Sequence, residues 1–258
     1  VGARKVLETC ARHIKPAVLE LGGKSANIVF DDSDLEFAAQ HAALFGSVMI
    51  SGQGCCLPTR LLVQETIYDE MVDRLAAVVE QVKIGDPWDP ATTMGPVLTE
   101  AGLQRTLGYI ERAQANGEGR LIAGGHRVGG ELARGFYLEP TIFVDVDRNS
   151  ALGCEEIFGP VLAVMKFSTE QEAVAMANDT PYGLAAYIQS SNLQRVHRMA
   201  GELNAGGIYV NGGSFIDPAT PFGGMGLSGF GREGGRVGLD EFLQHKAVRI
   251  GSGAIVFG

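Results

Sequence analysis

The sequence has few cysteines for its length, and their placement argues against a disulfide framework. Four cysteines occur in 258 residues, at Cys10, Cys55, Cys56 and Cys154, and two of them are adjacent. Secreted domains that depend on disulfides are short and rich in cysteine, which this chain is not. The cysteine content therefore predicts a protein of the reducing cytoplasm.

Basic runs, long apolar runs and a leader-like start are also missing. The formal net charge is −9, from 30 acidic and 21 basic residues spread along the chain, so no basic stretch can neutralise nucleic-acid phosphates. No apolar stretch approaches the roughly 20 residues that cross a bilayer, and no charged segment followed by a hydrophobic one opens the chain. The sequence predicts neither a nucleic-acid partner nor a membrane partner.

Metal-ligand spacing is missing as well. The five histidines are scattered, and Cys10 with His13 is the one close pair of cysteine and histidine. A structural zinc site takes four ligands. The sequence therefore predicts no metal.

The composition that remains is that of a folded enzyme, with 45% hydrophobic and 20% charged residues, which argues against disorder and fibrous repeats. Helical and strand-like patterns alternate between turn signals. The predicted helices cover residues 1–14, 35–45, 65–82, 99–116, 170–178 and 193–203, and the predicted strands cover residues 17–21, 27–30, 60–64, 120–123, 140–144, 161–167, 184–189 and 207–210. Because helical crossovers join parallel strands, we predict a layered α/β fold with a mostly parallel twisted sheet and flanking helices.

Cys55 is the first candidate catalytic residue. It ends the turn Gly52-Gln53-Gly54-Cys55 after a predicted helix, and Gly54 has no side chain to keep a substrate from the sulfur. A thiolate is a strong nucleophile once a local field or base ionises it. The alternative is that Cys55 and Cys56 are small buried hydrophobic residues.

Glu20 is the second candidate. It lies at the end of a predicted strand in Leu19-Glu20-Leu21-Gly22-Gly23-Lys24-Ser25, and sites form at strand ends in α/β sheets. A carboxylate among apolar neighbours is expected to have a raised pKa and can act as a general base. The alternative is a structural ion pair with Lys24.

The third candidate is the segment Glu155-Glu156-Ile157-Phe158-Gly159-Pro160. A carboxylate here can accept hydrogen bonds from ribose hydroxyls, and the aromatic ring can cover a flat heterocycle. The alternative is a surface turn with one buried phenylalanine.

A glycine-rich run at residues 222–233 contains Gly224-x-Gly226-x-x-Gly229, which has the spacing of a dinucleotide-binding loop. Such a loop follows a strand directly and opens a helix, whereas Asp217-Pro218-Ala219-Thr220-Pro221 precedes this run. We therefore interpret these glycines as positions of tight backbone packing.

Together, these segments resemble the aldehyde dehydrogenase superfamily over essentially the whole chain. The family's glutamate motif is similar to residues 19–26, and its Gly-Gln-x-Cys motif is met at Cys55, at the family's spacing from Glu20. The segment from Glu156 to Pro160 resembles the one that holds the nicotinamide half of the cofactor. The C-terminal signature resembles Tyr209-Val210-Asn211, Pro221-Phe222-Gly223-Gly224, Ser228-Gly229 and Gly231-Arg232-Glu233, with Gly226 where the family commonly has lysine.

The resemblance implies oxidation of an aldehyde to a carboxylic acid with NAD or NADP. Cys55 would add to the carbonyl to give a thiohemiacetal, whose oxyanion is held by the Cys55 backbone N–H and a family asparagine. Hydride would leave for the nicotinamide, and Glu20 would activate the water that hydrolyses the thioester. By the same resemblance Glu156, Phe158 and Gly22 bind the cofactor, Ile216 and Phe222 line the aldehyde tunnel, and Cys56 is a bystander.

The resemblance also implies that the chain is a fragment. Residues 1–22 would be a remnant of the cofactor-binding domain, residues 23–240 the catalytic domain, and residues 241–258 a C-terminal strand and tail, with the strand near residues 247–250. The family asparagine and the adenosine site would lie outside the chain, so we expect no dehydrogenase turnover from it alone. The full-length protein is expected to be a homo-oligomer, because the family assembles by strand addition between subunits.

Two other hypotheses remain from the sequence. A cofactor-independent thiol hydrolase or esterase would pair Cys55 with a histidine, although no histidine lies near a recognisable catalytic motif. The other hypothesis is a folded scaffold with no catalytic role.

Overall fold

The computed structural model of the chain describes residues 2–213, 217–251 and 253. Within that part, the α-helices are α1 (Gly2–His13), α2 (Leu35–Ala43), α3 (Tyr68–Glu80), α4 (Glu100–Asn116), α5 (Ala151–Cys154), α6 (Glu170–Asn178), α7 (Leu193–Glu202) and α8 (Gly235–Asp240). The strands are β1 (Leu19–Glu20), β2 (Ala26–Val29), β3 (Arg60–Gln64), β4 (Arg120–Ala123), β5 (Thr141–Val144), β6 (Val161–Phe167), β7 (Ala185–Gln189), β8 (Gly207–Val210) and β9 (Gly229–Phe230). None of the described helices is long and apolar enough to span a bilayer.

The main sheet has the strand order β4-β5-β6-β3-β2-β7-β8. Its neighbouring strands pair in parallel, except that β4 is antiparallel to β5. Strand β6, with the sequence VLAVMKF, is buried at all but one position, as expected for a parallel strand covered on both faces. The predicted α/β fold with a mostly parallel sheet and flanking helices is confirmed.

The alternation of side chains along β2 and β3 divides the apolar core in two. Ile28 and Leu62 pack in one cluster with residues of α4, α6 and α7. Val29 and Leu61 pack in a second cluster with residues of α2 and α3. Because successive strand residues point to opposite faces, the two clusters lie on opposite sides of the sheet.

Polar side chains cap the first turns of four of the described helices. Oxygens of Asp34, Thr99, Thr169 and Asn192 accept backbone N–H groups from the first turns of α2, α4, α6 and α7. Each bond satisfies a donor that would otherwise be free at a helix start. The cap predicted within residues 31–34 is Asp34.

Two predicted strands differ in the structure. Residues 17–21 yield only the two-residue β1, which pairs antiparallel with β9 outside the main sheet. Residues 247–250 form no strand, because a strand needs a hydrogen-bonded neighbour and no described residue pairs with them. Residues 252 and 254–258 of the predicted C-terminal tail lie outside the described residues.

The segments that carry the candidate site precede parallel strands. Residues 22–24 come before β2, Cys55 before β3, and Glu156 before β6. Since β2, β3 and β6 are parallel and adjacent in that order, these residues lie at the same amino edge of the sheet. Open α/β sheets more often bind ligands at the carboxyl edge, so the strand-end rule applied to Glu20 does not describe this site.

Candidate active site

The loop that leads to Cys55 has an unusual backbone. After α2 the chain forms a π-helical turn (Leu44–Val48) and then a 3-10 turn (Met49–Gly52). In the second turn Ile50 and Ser51 have φ angles of 44° and 54°, in the left-handed region that non-glycine residues seldom adopt. Departures of this kind concentrate at functional sites.

Two side-chain hydrogen bonds fix this loop. Ser51 Oγ donates to the carbonyl oxygen of Gly95 at 2.9 Å. Gln53 Oε1 accepts the amide of Leu98 at 2.8 Å. The residues just before Cys55 are therefore tethered to a second loop, which limits their freedom to move.

The Cys55 thiol ionises more readily than an ordinary cysteine. A hydrogen bond from the Cys56 thiol is the largest cause that lowers the pKa of Cys55 from 9.0 to about 7, and the backbone amides of both residues add to it. Burial and the charge of Glu20 act in the opposite direction. A thiol that is partly ionised at neutral pH is a competent nucleophile.

Cys56 is the hydrogen-bond donor of this pair. Its bond to Cys55 and its burial raise the pKa of Cys56, so its thiol keeps its proton. The Tyr187 hydroxyl donates to the carbonyl oxygen of Cys56 at 3.0 Å and anchors the turn. The expectation that Cys56 is a bystander stays a prediction, and the effect of the Cys56 thiol on the pKa of Cys55 argues against it.

Glu20 presents an unpaired, buried carboxyl group. Both of its oxygens are buried and have no hydrogen-bond partner among the described residues. Burial, and next the charge of Glu233, raise the pKa of Glu20 from 4.5 to about 7, while Arg232 lowers it. The alternative of an ion pair with Lys24 is wrong within the described chain, since neither oxygen has that partner.

The glycine pair after Glu20 connects the three candidate segments. The amide of Gly23 donates to Glu156 Oε1 at 3.0 Å. A Cβ on Gly23 would lie 2.5 Å from the Cys55 carbonyl oxygen, and a Cβ on Gly22 would collide with the Glu156 carboxylate. A Cβ would force backbone to shift at Gly23 and would displace the Glu156 side chain at Gly22, so this loop contacts the nucleophile segment and the Glu156 segment at once.

The turn that contains Glu156 and Phe158 is held by Arg105 of α4. Arg105 Nε donates to the Ile157 carbonyl oxygen at 3.0 Å, and its Nη2 donates to the Phe158 carbonyl oxygen at 3.2 Å. Phe158 has a φ of 55° and is 37% exposed, whereas Ile157 is buried. A surface turn with one buried phenylalanine is therefore wrong, because the buried residue is Ile157.

Of the two residues predicted to line the aldehyde approach, the structure describes one. Phe222 is partly buried and packs, with Cys55, against a buried cluster that includes Cys56 and Tyr187. Ile216 lies outside the described residues. The contact of either residue with an aldehyde stays a prediction.

The glycine-rich run packs backbone against backbone. Gly229, with a φ of 108°, lies against the carbonyl of Leu19, and Gly226, with a φ of 60°, lies against the carbonyl of Pro181. The run forms a 3-10 turn (Gly226–Ser228) and β9 rather than opening a helix directly. The interpretation of these glycines as tight packing is confirmed.

His41 of α2 packs in the protein interior. His41 is buried, stacks on Phe45 with ring centroids 4.6 Å apart, and has Nδ1 3.5 Å from Asn27 Nδ2. Burial lowers the pKa of His41. In the part of the chain that the structure describes, no group of three or more His, Cys, Asp or Glu side chains is arranged to hold a metal ion.

Two contributors to the site are not predicted by the sequence. The Arg105 clamp on the Phe158 turn spans 53 residues of sequence, and nothing in the pattern of α4 marks it. The only hint of a role for the Cys56 thiol in the sequence is that Cys56 directly follows Cys55. Side-chain direction decides both, and it depends on the tertiary fold.

Comparisons with known proteins place the chain among well-described relatives. A family model described as the aldehyde dehydrogenase family matches residues 2–248. The chain is 43% identical over 252 residues to a betaine aldehyde dehydrogenase of Cereibacter sphaeroides, covering 98% of this chain and 51% of the relative. It is 43% identical over 246 residues to the peroxisomal aminoaldehyde dehydrogenase 1 of Pisum sativum, covering 95% of this chain and 48% of the relative.

Solved structures agree with this assignment. An NAD-dependent aldehyde dehydrogenase from Sinorhizobium meliloti superposes with a TM-score of 0.93 at 39% identity, covering 98% of this chain and 50% of that one. Betaine aldehyde dehydrogenase from Staphylococcus aureus in complex with NAD+ superposes with a TM-score of 0.90 at 36% identity, covering 93% and 48%. The chain spans about half the length of the curated relatives it matches.

Proposed function

The chain belongs to the aldehyde dehydrogenase family, and from that premise we propose that it supplies the catalytic half of an NAD(P)+-dependent oxidation of an aldehyde to a carboxylic acid. Cys55 is the nucleophile and Glu20 is the general base. The observation that carries the proposal is the pairing of an acidified thiol with a carboxyl of raised pKa at one site. Perturbed pKa values cluster at functional sites, and a general base or a nucleophile works best with a pKa near the working pH.

Cys55 performs the first covalent step. Its thiolate adds to the aldehyde carbon, forming a carbon–sulfur bond and a thiohemiacetal oxyanion. The backbone N–H of Cys55 is a donor for that oxyanion. The hydrogen bond donated by the Cys56 thiol stabilises the Cys55 thiolate before the attack, and the proton stays on Cys56 throughout the step.

Glu20 performs the hydrolytic step. Ionised Glu20 takes a proton from water, and the hydroxide adds to the thioester carbon while the carbon–sulfur bond breaks and the Cys55 thiolate returns. Neither buried oxygen of Glu20 has a hydrogen-bond partner among the described residues, so a side-chain rotation that brings the carboxylate to water breaks no hydrogen bond. A base with a pKa of about 7 suits the reaction at neutral pH.

The cofactor site is formed in part by Glu156, Phe158 and Gly22. The Glu156 carboxylate fits a nicotinamide ribose, because it can accept hydrogen bonds from ribose hydroxyls. The Gly23 amide uses one acceptor position on Oε1, and the carboxylate keeps others for the ribose. Phe158 offers a partly exposed ring beside it. When bound, NAD or NADP supplies the acceptor for the hydride that leaves the thiohemiacetal carbon.

The division of the chain follows from this assignment. We propose that residues 1–22 belong to the cofactor-binding domain, residues 23–240 to the catalytic domain and residues 241–258 to a C-terminal tail. In a polypeptide of full family length, the remaining residues would complete the cofactor site and help to shape the aldehyde tunnel around Phe222 and Ile216. The whole protein would be a cytoplasmic homo-oligomer. The relatives named for betaine aldehyde and aminoaldehydes support small aldehydes as the substrate class.

The test is aldehyde oxidation by a polypeptide of full family length that carries this chain, assayed with NAD+, with NADP+ and without cofactor. We expect activity that requires one of these cofactors and is lost in Cys55→Ala, and no dehydrogenase turnover by the 258-residue chain alone. Turnover by the isolated chain would contradict the second expectation. Cofactor-independent ester hydrolysis that is lost on mutation of a histidine would favour a thiol hydrolase instead.

A further inference from the structure

Ser228 is a fully buried serine in the glycine-rich run 222–233. It ends the 3-10 turn that directly precedes β9. Its hydroxyl accepts the amide of Gly183 at 3.0 Å and donates to the carbonyl oxygen of Gly22 at 2.7 Å. Gly183 comes just before β7 and Gly22 just before β2, and these two strands are parallel neighbours. One side chain therefore joins two loops at the amino edge of the main sheet.

The backbone of Ser228 holds the segment that carries Glu20. The amide of Leu21 donates to the Ser228 carbonyl oxygen at 3.1 Å, and Glu20 is paired with Gly229 in the antiparallel pair of β1 and β9. An alanine at position 228 would keep these backbone contacts. It would remove the two hydrogen bonds of the hydroxyl, so the contribution of the side chain can be tested on its own.

The same glycine-rich run lies against the Glu20 carboxyl group. A Cβ on Gly223 would be 2.8 Å from Glu20 Oε1, so the backbone of the run borders that oxygen directly. Neither Glu20 oxygen has a hydrogen-bond partner among the described residues. The place of this carboxyl group is therefore set by packing and by the position of the backbone that carries it.

Loss of the Ser228 hydroxyl would act on this backbone. The Gly22 carbonyl and the Gly183 amide would both lose the partner that they now share. A buried backbone group without a partner is unfavourable, so both loops would shift toward other partners. Glu20, two residues before Gly22, would move with its loop.

We propose that Ser228 is a positioning residue for the hydrolytic step: by joining the Gly183 amide to the Gly22 carbonyl, its hydroxyl fixes the Glu20 segment against the amino edge of the main sheet. This inference rests on the proposed role of Glu20 as the general base. Ser228 acts through Glu20, and its own hydroxyl takes no part in the transfer of the proton.

The experiment measures the hydrolysis of a preformed Cys55 acyl-enzyme in single turnovers, in a polypeptide of full family length that carries this chain. We expect Ser228→Ala to slow hydrolysis about tenfold to a hundredfold, because a small displacement of a catalytic group has a large effect on rate. Hydrolysis by Ser228→Ala at the rate of the parent would overturn the proposal.

A Glu20→Gln background distinguishes positioning of the base from a general structural effect. If Ser228 acts through the Glu20 carboxylate, Ser228→Ala should slow hydrolysis no further in that background, because residues that act as a unit have non-additive effects. An equal loss in both backgrounds would contradict the proposal. Glu20→Gln alone tests the other level: hydrolysis as fast as in the parent would refute the role of Glu20 itself.

The matched control is Thr141→Ala. Thr141 is also fully buried, and its hydroxyl likewise accepts one backbone amide, that of Gly125, and donates to one carbonyl oxygen, that of Glu139, both at 2.9 Å. It lies on β5, which β6 and β3 separate from β2. Thr141→Ala should destabilise the chain but leave the hydrolysis rate unchanged. A loss of rate as large as in Ser228→Ala would mean that destabilisation alone slows hydrolysis, against the proposal.

Ser228→Cys keeps a weak hydrogen-bond donor at the same position. Its hydrolysis rate should lie between those of Ser228→Ala and the parent. If Ser228→Ala does not fold, Ser228→Cys decides: a slower rate supports the proposal, and a rate equal to that of the parent overturns it.

Discussion

Gly23 and Glu156 lie 133 residues apart in the sequence, and the amide of Gly23 donates a 3.0 Å hydrogen bond to Oε1 of Glu156. The same glycine has no room for a Cβ against the Cys55 carbonyl. A single residue thus sets the spacing between the nucleophile loop and the proposed cofactor carboxylate. The three atoms nearest to a Cβ on its neighbour Gly22 all belong to the Glu156 carboxyl group, which gives the two glycines separable effects.

Gly23→Ala and Gly22→Ala should therefore fail in different ways. The new Cβ at position 23 meets backbone, which has to shift, so we expect a loss of stability of about 2 kcal/mol and a changed rate of Cys55 alkylation. The new Cβ at position 22 meets the mobile end of Glu156, so NAD+ affinity should fall about tenfold while stability changes little. Thermal unfolding, iodoacetamide labelling and NAD+ titration measure the three quantities. Identical phenotypes for the two variants would contradict the geometry.

Removal of the Cys56 proton should make Cys55 less acidic. In Cys56→Ala the thiolate of Cys55 loses its principal hydrogen-bond donor, so its pKa should rise and its alkylation rate at pH 7 should fall about tenfold. Labelling rates of the Cys55 peptide, followed by mass spectrometry as a function of pH, give the pKa directly. Cys56→Ser keeps a hydroxyl donor and is the matched control, with a pKa expected between those of Cys56→Ala and the parent. Equal pKa values in all three proteins would rule out the hydrogen bond as the cause.

The charges beside Glu20 should move the pH dependence of thioester hydrolysis in opposite directions. Glu20 works as a base when ionised, so hydrolysis of a preformed acyl-enzyme rises with pH through about 7. Glu233→Gln removes a negative charge that raises this pKa, and the rising limb should move to lower pH by about half a unit to one unit. Arg232→Gln should move it to higher pH.

Single-turnover hydrolysis isolates this step, because an acylated Cys55 has no thiol to titrate. Glu20→Gln should lower the hydrolysis rate about 10²-fold to 10⁴-fold and flatten the profile, while acylation still occurs. A profile unmoved by both charge variants would mean that Glu20 is not the titrating group.

Lys24 should make the folded chain more stable as the pH rises. Its folded pKa of about 7 lies below the ordinary 10.5, so between these values the unfolded chain binds more protons, and stability rises with pH over that window. At 1.36 kcal/mol per pKa unit, the gain is at most about 5 kcal/mol. Urea unfolding of the 258-residue chain and of Lys24→Met, at pH 6.5 and 9.5, measures it as the difference between the two proteins. Lys24→Met should be the more stable protein at pH 6.5, and an advantage that does not shrink at pH 9.5 would show that the amine is not titrating.

Local features of the fold are readable from the sequence because they depend on neighbouring residues. Strand β3 and helix α6 have the predicted bounds, and the cap Asp34 lies where a polar residue precedes an apolar period. Residues 17–21 and 247–250 look equally strand-like, but a strand exists only where another strand offers its hydrogen bonds. The partner strand is distant in the sequence, so the periodicity of a single segment does not show whether that segment has one.

The candidate site shows the same division. Cys55, Glu20 and Glu156 are recognisable because their motifs keep reactive residue types beside glycines in a fixed order. The burial of Lys24 is not recognisable, because a lysine beside a glycine pair is expected to be exposed, whereas its side chain is 1% exposed in the fold. The lowered pKa of Cys55 likewise depends on a hydrogen bond from the Cys56 thiol. Two adjacent cysteines in a sequence do not show whether their thiols point toward each other.

The left-handed conformation of Ile50 is unexpected for its residue type, and it yields a last prediction. A β-branched residue in this region costs about 1–2 kcal/mol, and Ile50 is 63% exposed, so its side chain gains little from burial in return. Asparagine tolerates the same backbone, and Ile50→Asn should raise the free energy of unfolding by about 1 kcal/mol, or 2–4 °C in Tm. The control is Leu44→Asn, at a right-handed φ of −69° and 38% exposed, where the same change should destabilise the chain. If Ile50→Asn also destabilises the chain, the isoleucine side chain stabilises the loop before Cys55, which would contradict the prediction. If Ile50→Asn stabilises the chain but slows alkylation of Cys55, the strained backbone at Ile50 serves to position the nucleophile.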